Sequence, residues 1–289
     1  MKQPATGLAS APTIGVFDSG FGGLTVLQAL IARLPRARYA FLGDTARLPY
    51  GSKSRRTIAR YAIESAQFLV REQGAEFLVI ACNTASALAL DAIQEAVPVP
   101  VLGVIEPGAQ AARAASRCGD VLVIATDATV QSHAYAAACN ARNLRALEKA
   151  CPLLVPLVEE GWTGHPVTAE VIRIYLAELN AEATARNMNP DVLVLGCTHY
   201  PLLRPLIEAA VPPGVRVIDS AAAAAEAAVH LFNGRAAPAA TLDPEASSNT
   251  AADTEIHCFA TDSVEKFERL GSRFLGRPVG SVKLVDLGG

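Results

Sequence analysis

Seven short stretches of the chain have continuously apolar centres: 14-IGVF-17, 38-RYAFLGD-44, 77-FLVIAC-82, 99-VPVLGVIE-106, 120-DVLVIATD-127, 191-DVLVLGCT-198 and 215-VRVIDS-220. They do not alternate apolar with polar. Strands of this kind have both faces covered, as in a parallel sheet. Between them lie segments with helical spacing. In 54-SRRTIARYAIESAQFLVREQG-74, Ile58, Tyr61, Ala62, Ser65, Phe68 and Leu69 share one face, and Gly74 is a stop signal. The alternation predicts βαβ units with right-handed crossovers. The segment 234–255 is rich in Ala, Pro, Ser and Thr without an apolar period, and reads as a mobile surface insertion. After it, 256-IHCFATD-262 and the amphipathic 263-SVEKFERLGSRFLG-276 restore a strand and a helix.

The ends of the apolar runs share a character: DSG, GDT, CNT, EPG, TDA, CTH and DSA. In doubly wound sheets, ligands bind beyond the carboxyl ends of strands. Small hydroxylated residues there leave room for a ligand and offer it donors. Helix capping asks for the same residues, so any single end is ambiguous. Two of the ends carry a cysteine, Cys82 and Cys197, which are 197 − 82 = 115 residues apart. That is about the length of a small domain and suggests two similar α/β halves facing each other.

Composition narrows the function classes. The chain has 289 residues, 51% of them apolar, with 25 basic against 28 acidic side chains and a net charge of −3. A substantial core is available. There is no basic surplus for nucleic acid, no basic amphipathic segment for a membrane surface, and no apolar run long enough to span one. The N-terminal lead-in lacks the apolar stretch of a secretory signal, so a cytoplasmic protein is expected. The six cysteines contain no CxxC pair, and a disulfide framework is not expected. Cys118, Cys139 and Cys258 read as core fillers or inert thiols.

Cys82 and Cys197 stand apart because of the residues on their C-terminal side, Asn83-Thr84 and Thr198-His199. A thiol at a strand end before a helix N-terminus feels the dipole and should lose its proton more easily. His199 beside Cys197 could hold or shuttle a proton. Asp18, at the end of the first strand, is the corresponding candidate partner for Cys82. The residues alone leave four readings open. One is two-base proton transfer at a carbon stereocentre, which needs two cysteines of equal rank. A second is a hydrolase or transferase with one Cys nucleophile, which leaves Cys82 idle. A third is a Cys/Cys/His zinc site, for which the spacing is weak. The fourth is a binding domain with buried cysteines. A dinucleotide fingerprint is absent, because Thr25 stands where SGFGGL would need its last glycine, and there is no GxxxxGK[ST].

Eight motifs in order carry a resemblance: 15-GVFDSGFGGLTVL-27, 43-GDTARLPYGSKS-54, 81-ACNTAS-86, 103-GVIEPGA-109, 151-CPLLVPLVEEG-161, 195-LGCTHYPLL-203, 218-IDSA-221 and 259-FATD-262. The chain resembles the glutamate racemases, cofactor-independent enzymes of the aspartate/glutamate racemase superfamily that supply D-glutamate for peptidoglycan. The resemblance implies an α/β fold of two similar Rossmann-like domains with mostly parallel sheets and the active site in the cleft between them. It divides the chain into 1–104 plus 217–289 on the Cys82 side and 105–216 on the Cys197 side. It implies that Cys82 acts on D-glutamate with Asp18 assisting, and that Cys197 acts on L-glutamate with His199 assisting. Glu159 matches a glutamate near the substrate amino group, with Glu160 adjacent. Ser19, Pro49, Tyr50, Gly51, Asn83, Thr84, Thr129 and Thr198 resemble substrate-binding positions. The resemblance further implies no cofactor, no metal, glutamate as the small-molecule partner, and a homodimer. His199 separates the chain from aspartate racemases, which usually carry Glu after CT. The departures are a long 234–255 insertion, a short lead-in that weighs against activation by a peptidoglycan precursor, and His133, expected to be a solvent-facing helix residue. Trp162 is expected in the core.

Overall fold

The structure, a computed structural model, describes residues 11–233 and 254–288. The chain opens with β1 (Thr13–Asp18), α1 (Leu24–Arg33), β2 (Arg38–Gly43), α2 (Arg55–Arg71), β3 (Phe77–Ile80), the short α3 (Asn83–Leu88) and α4 (Leu90–Ala96), and β4 (Val101–Gly103). A second run begins with α5 (Ile105–Ala115), β5 (Asp120–Ala125), α6 (Asp127–Ser132), α7 (Ala134–Asn140) and β6 (Arg145–Ala150). It continues through α8 (Leu154–Glu159), α9 (Pro166–Ala185), β7 (Val192–Gly196), α10 (Arg204–Ala210) and β8 (Arg216–Asp219). The last elements are α11 (Ser220–Asn233), β9 (Ile256–Ala260), α12 (Val264–Leu275) and β10 (Val282–Leu284).

The strands form two sheets, of order β10-β9-β2-β1-β3-β4 and β6-β5-β7-β8. Every pairing is parallel. The stretch β2-β1-β3-β4 of the larger sheet therefore repeats the order of the smaller one. In each, the chain winds first to one side of its central strand and then to the other. The winding reverses between β1 and β3, and again between β5 and β7. Such reversals open a crevice at the carboxyl ends of the strands. The fold is the mixed α/β, Rossmann-like arrangement the sequence predicts. β8 keeps the chain with the smaller sheet as far as Asp219. The chain then crosses back through α11, whose first turn is capped by Asp219: its Oδ1 accepts from Ala222 N at 2.9 Å.

Both faces of the central strands are covered, so β1, β3, β5 and β7 are buried along their whole lengths. One continuous cluster includes Val16 and Val79 of the larger sheet and Ile124 and Leu195 of the smaller. Ala224, Ala225 and Ala228 of α11 join that cluster, and the small side chains let α11 pack between α1 and α5. The two sheets thus share a core. The α2 face is buried at Ile58, Ala62, Ser65, Phe68 and Leu69, and Gly74 takes a left-handed φ of 65° just beyond the helix end.

Some expectations need correction. Trp162 is 44% exposed and stacks on His165, with ring centroids 4.4 Å apart, rather than entering the core. Cys118 is exposed, donating to Asn189 O at 3.0 Å, whereas Cys139 and Cys258 are buried. His133 faces solvent as expected, but it sits at a left-handed break between α6 and α7, with φ 55°. The insertion at 234–255 lies outside the described residues except for its last two positions, and so does the lead-in at 1–10. Among the described residues no helix is long and apolar enough to cross a membrane.

Candidate active site

β3 and β7 hold equivalent places in the two sheets, and each is followed by a cysteine. Both cysteines line one cavity of about 400 Å³ at the carboxyl ends of the strands. Cys82 is the N-cap of α3. Its Sγ accepts from Ala85 N at 3.4 Å, and its thiol donates to Ser19 Oγ at 3.4 Å. Ser19 comes directly after β1, beside β3 in the sheet, which is why the two side chains meet. The expected easing of Cys82 ionisation by the helix N-terminus is not realised. Burial, reinforced by the nearby charge of Asp18, pushes the thiol up to about 12 and outweighs its hydrogen bonds to Ser19 and Ala85.

Asp18 stands one layer behind the cavity wall. Its Oδ2 accepts from Gly20 N at 3.0 Å, and its Oδ1 is buried without a partner. Burial pushes its carboxyl above the usual range, against the opposing pull of His199 and the N–H groups of Gly20 and Gly23.

Cys197 comes after Gly196 at the end of β7 and is buried. Its Sγ lies 3.9 Å from His199 Nδ1. On the other side of the ring, His199 Nε2 is 3.4 Å from Glu159 Oε1, close enough for an ion pair but not aligned as a hydrogen bond. Burial pushes the imidazole down, yet Cys197 and Glu159 together outweigh it and raise it to about 10. Glu159 is held below its usual range: burial opposes ionisation, but His199 and Lys266 prevail. Glu160, the adjacent candidate, is exposed. The ring of His199 is set edge-on to Phe274, with centroids 5.0 Å apart at 75°.

The glycine-rich turn after β1 has a packing reason. A Cβ on Gly22 would lie 2.4 Å from Thr198 Oγ1 and 2.6 Å from His199 Nδ1. The turn is bare because the Cys197 strand end presses against it. Thr25 adds to the contact, donating to Thr198 O at 3.3 Å.

The remaining expected residues divide between wall and support. Pro49, Tyr50 and Gly51 line the cavity, as do Asn83, Thr84 and Thr198. The Tyr50 hydroxyl donates to Asp44 Oδ2 at 2.5 Å. Asn83 Oδ1 accepts from Tyr135 OH at 2.7 Å, which leaves its Nδ2 buried without a protein partner and available as a donor. Thr129 does not line the cavity. It is fully buried, and its Oγ1 lies 3.2 Å from Thr84 and 2.9 Å from Thr126. Thr84 and Thr126 are themselves 3.0 Å apart, so three hydroxyls tie α3 to α6 across the two halves. Thr126 and Asp127 also line the cavity; the sequence marks their TDA strand end as one of seven alike, without naming either residue individually. Among the described residues no group of three or more His, Cys, Asp or Glu side chains could hold a metal. His199 is the only basic side chain in the cavity wall among the described residues, so carboxylate groups there would meet hydroxyls, the Asn83 amide and backbone N–H groups.

The sequence matches the profile of the Asp/Glu/hydantoin racemase family over residues 14–228. A glutamate racemase of Koribacter versatilis is 53% identical, over 96% of this chain and 98% of its own. One from Geobacter metallireducens is 45% identical, over 95% and 96% respectively. Among solved structures, the glutamate racemase of Francisella tularensis in complex with D-glutamate is similar with a TM-score of 0.82 at 34% identity. That match covers 97% of this chain and 99% of that one.

Proposed function

The chain belongs to the Asp/Glu/hydantoin racemase family, and from that premise we propose that it interconverts L- and D-glutamate by proton transfer between Cys82 and Cys197. The D-glutamate would serve peptidoglycan synthesis. The observation that carries this reading is the delivery of the two cysteines to one cavity by equivalent strands of two repeated sheets.

A thiolate on one side of the substrate removes the α-hydrogen as a proton, and its electron pair stays on carbon. The thiol on the other side returns a proton to the opposite face. Configuration inverts, and the two sulfurs exchange protonation states. Cys197 acts on L-glutamate, with His199 supplying a cation close to the charge that passes through the sulfur. Cys82 acts on D-glutamate, with Asp18 behind it. The α-hydrogen is weakly acidic, so most of the barrier must be met by donors aimed at the carboxylate where charge builds up. Ser19, Asn83, Thr84 and Thr198 offer such donors, and Glu159 faces the substrate ammonium. This reading requires no cofactor. The cavity is small and walled by both halves, which suits chemistry that must exclude water.

Circular dichroism tests it. Wild type should consume the optical signal of L-glutamate much faster than that of L-aspartate, and Cys82→Ser and Cys197→Ser should each lose at least about a hundredfold in kcat, as loss of a proton-transfer group does. A preference for aspartate would overturn the substrate. Full activity in either variant would overturn the mechanism.

A further inference from the structure

The helix α12 contributes no residue to the cavity wall, yet it touches the site in three places. Phe267, Leu270, Phe274 and Leu275 form its buried face. From that face Phe274 meets the His199 ring edge-on. Lys266 Nζ lies 3.4 Å from Glu159 Oε2 and 5.6 Å from the centre of the Phe21 ring. Arg273, two turns further along, lies against Gly161, where a Cβ would be 2.5 Å from Nη1. Helix α12 packs on α1 and β10 of the larger sheet. Glu159 ends α8 and Gly161 lies just beyond it, in the run of the smaller sheet. The two oxygens of Glu159 therefore face two nitrogens from opposite sides of the cleft: Oε1 toward His199 and Oε2 toward Lys266.

We propose that Lys266 is a positioning residue for the racemisation: it holds the Glu159 carboxylate within ion-pair distance of His199 from across the cleft, and so fixes the imidazole that serves Cys197. Lys266 does not line the cavity and acts only through Glu159. The inference rests on the racemase reading. The groups facing Glu159 are His199, Lys266 and, at longer range, Asp18, with Arg273 against the loop beyond α8. Removing Lys266 deletes one of the two cations that keep Glu159 ionised. The Lys266 side chain is 43% exposed, so solvent screens the pair and the effect is modest.

The test is a mutant cycle read by kinetics and by titration. Lys266→Met should lower kcat about two- to fivefold, the rate equivalent of a screened ion pair, with KM within about twofold. Lys266→Arg should restore most of the loss. If Lys266 works through Glu159, the double variant with Glu159→Gln should be no slower than Glu159→Gln alone. The Glu159 carboxyl, followed by carbon NMR and assigned with Glu159→Gln, should titrate at higher pH in Lys266→Met. Multiplying effects in the double variant, or an unmoved Glu159 titration, would overturn the inference and leave the racemase reading standing. A wild type inactive on glutamate would overturn both.

Discussion

At the residue scale, the site turns on His199. It is buried, and burial alone would leave it neutral. Its partners Cys197 and Glu159 reverse that and hold it up to about 10. Nitrogen NMR of the labelled imidazole should find it still protonated at pH 8, and Glu159→Gln should bring the titration down toward the ordinary range. A neutral ring at pH 8 in wild type would contradict the assignment. Stability should follow the same sign. The folded-state value lies above the unfolded value of 6.5, so the contribution is complete below about pH 6.5 and is lost as pH rises toward 10. Thermal unfolding across that range should show a falling midpoint, with a shallower fall in His199→Gln. Cys82 acts in the same direction but in a higher window, from 9 to about 12. Both cysteines and His199 are legible in the sequence, because each combines a strand end with an unusual side chain, whereas Glu159 is marked only by the family resemblance, with Glu160 beside it. Asp18 is marked by its place at the end of the first strand and Thr129 only by the resemblance, and neither reading shows that both side chains lie behind the cavity wall. Depth is set by how neighbouring elements pack, and no local pattern records it. Trp162 departs from expectation for the same reason: a large apolar side chain argues for burial, but stacking on His165 satisfies it at the surface.

At the element scale, the loop from Asp44 to Ser52 shows how a cavity wall is held. Asp44 is fully buried and accepts from Tyr50 OH at 2.5 Å, Thr261 Oγ1 at 2.9 Å and Arg47 Nε at 2.8 Å. Arg47 also pairs with Glu64 and lies over the Tyr61 ring, 4.3 Å from its centre. Tyr50 thus lines the wall while its hydroxyl anchors the loop to Asp44. Tyr50→Phe deletes one bond to a buried carboxylate, which costs roughly 1–3 kcal/mol. Denaturant unfolding should register that loss, and KM should rise more than kcat falls. Unchanged stability and KM would remove the loop from the account. The interior strands are plain in the sequence because both faces are covered. Two strands carry no such mark, β6 (RALEKA) and β10 (VKL), and both are sheet edges with partly exposed, charged positions. An edge strand has no need of a continuous apolar run, so the signal that reveals the others is missing there. The breaks between α3 and α4 and between α6 and α7 are likewise invisible.

At the scale of the whole molecule, two sheets of repeated winding order meet at the ends where their winding reverses. That arrangement lets one cavity draw on four strand ends, with Ser19 and Cys82 from one sheet and Thr126 and Cys197 from the other. The halves are joined by a common core, by the three-threonine contact and by the close approach at Gly22. Gly22→Ala should therefore lower kcat without abolishing folding, because a Cβ there forces Thr198 and His199 to shift; wild-type kcat in that variant would show that the contact is slack. The central claim is that each sulfur serves one face of a single carbon. Its most direct measurement is the early time course of α-deuterium when L-glutamate is turned over in heavy water. With two bases, newly formed D-glutamate carries deuterium from the first turnovers while the remaining L-glutamate keeps its hydrogen. Equal labelling of product and recovered substrate, or product that retains the original hydrogen, would mean that one base serves both faces and would contradict the account.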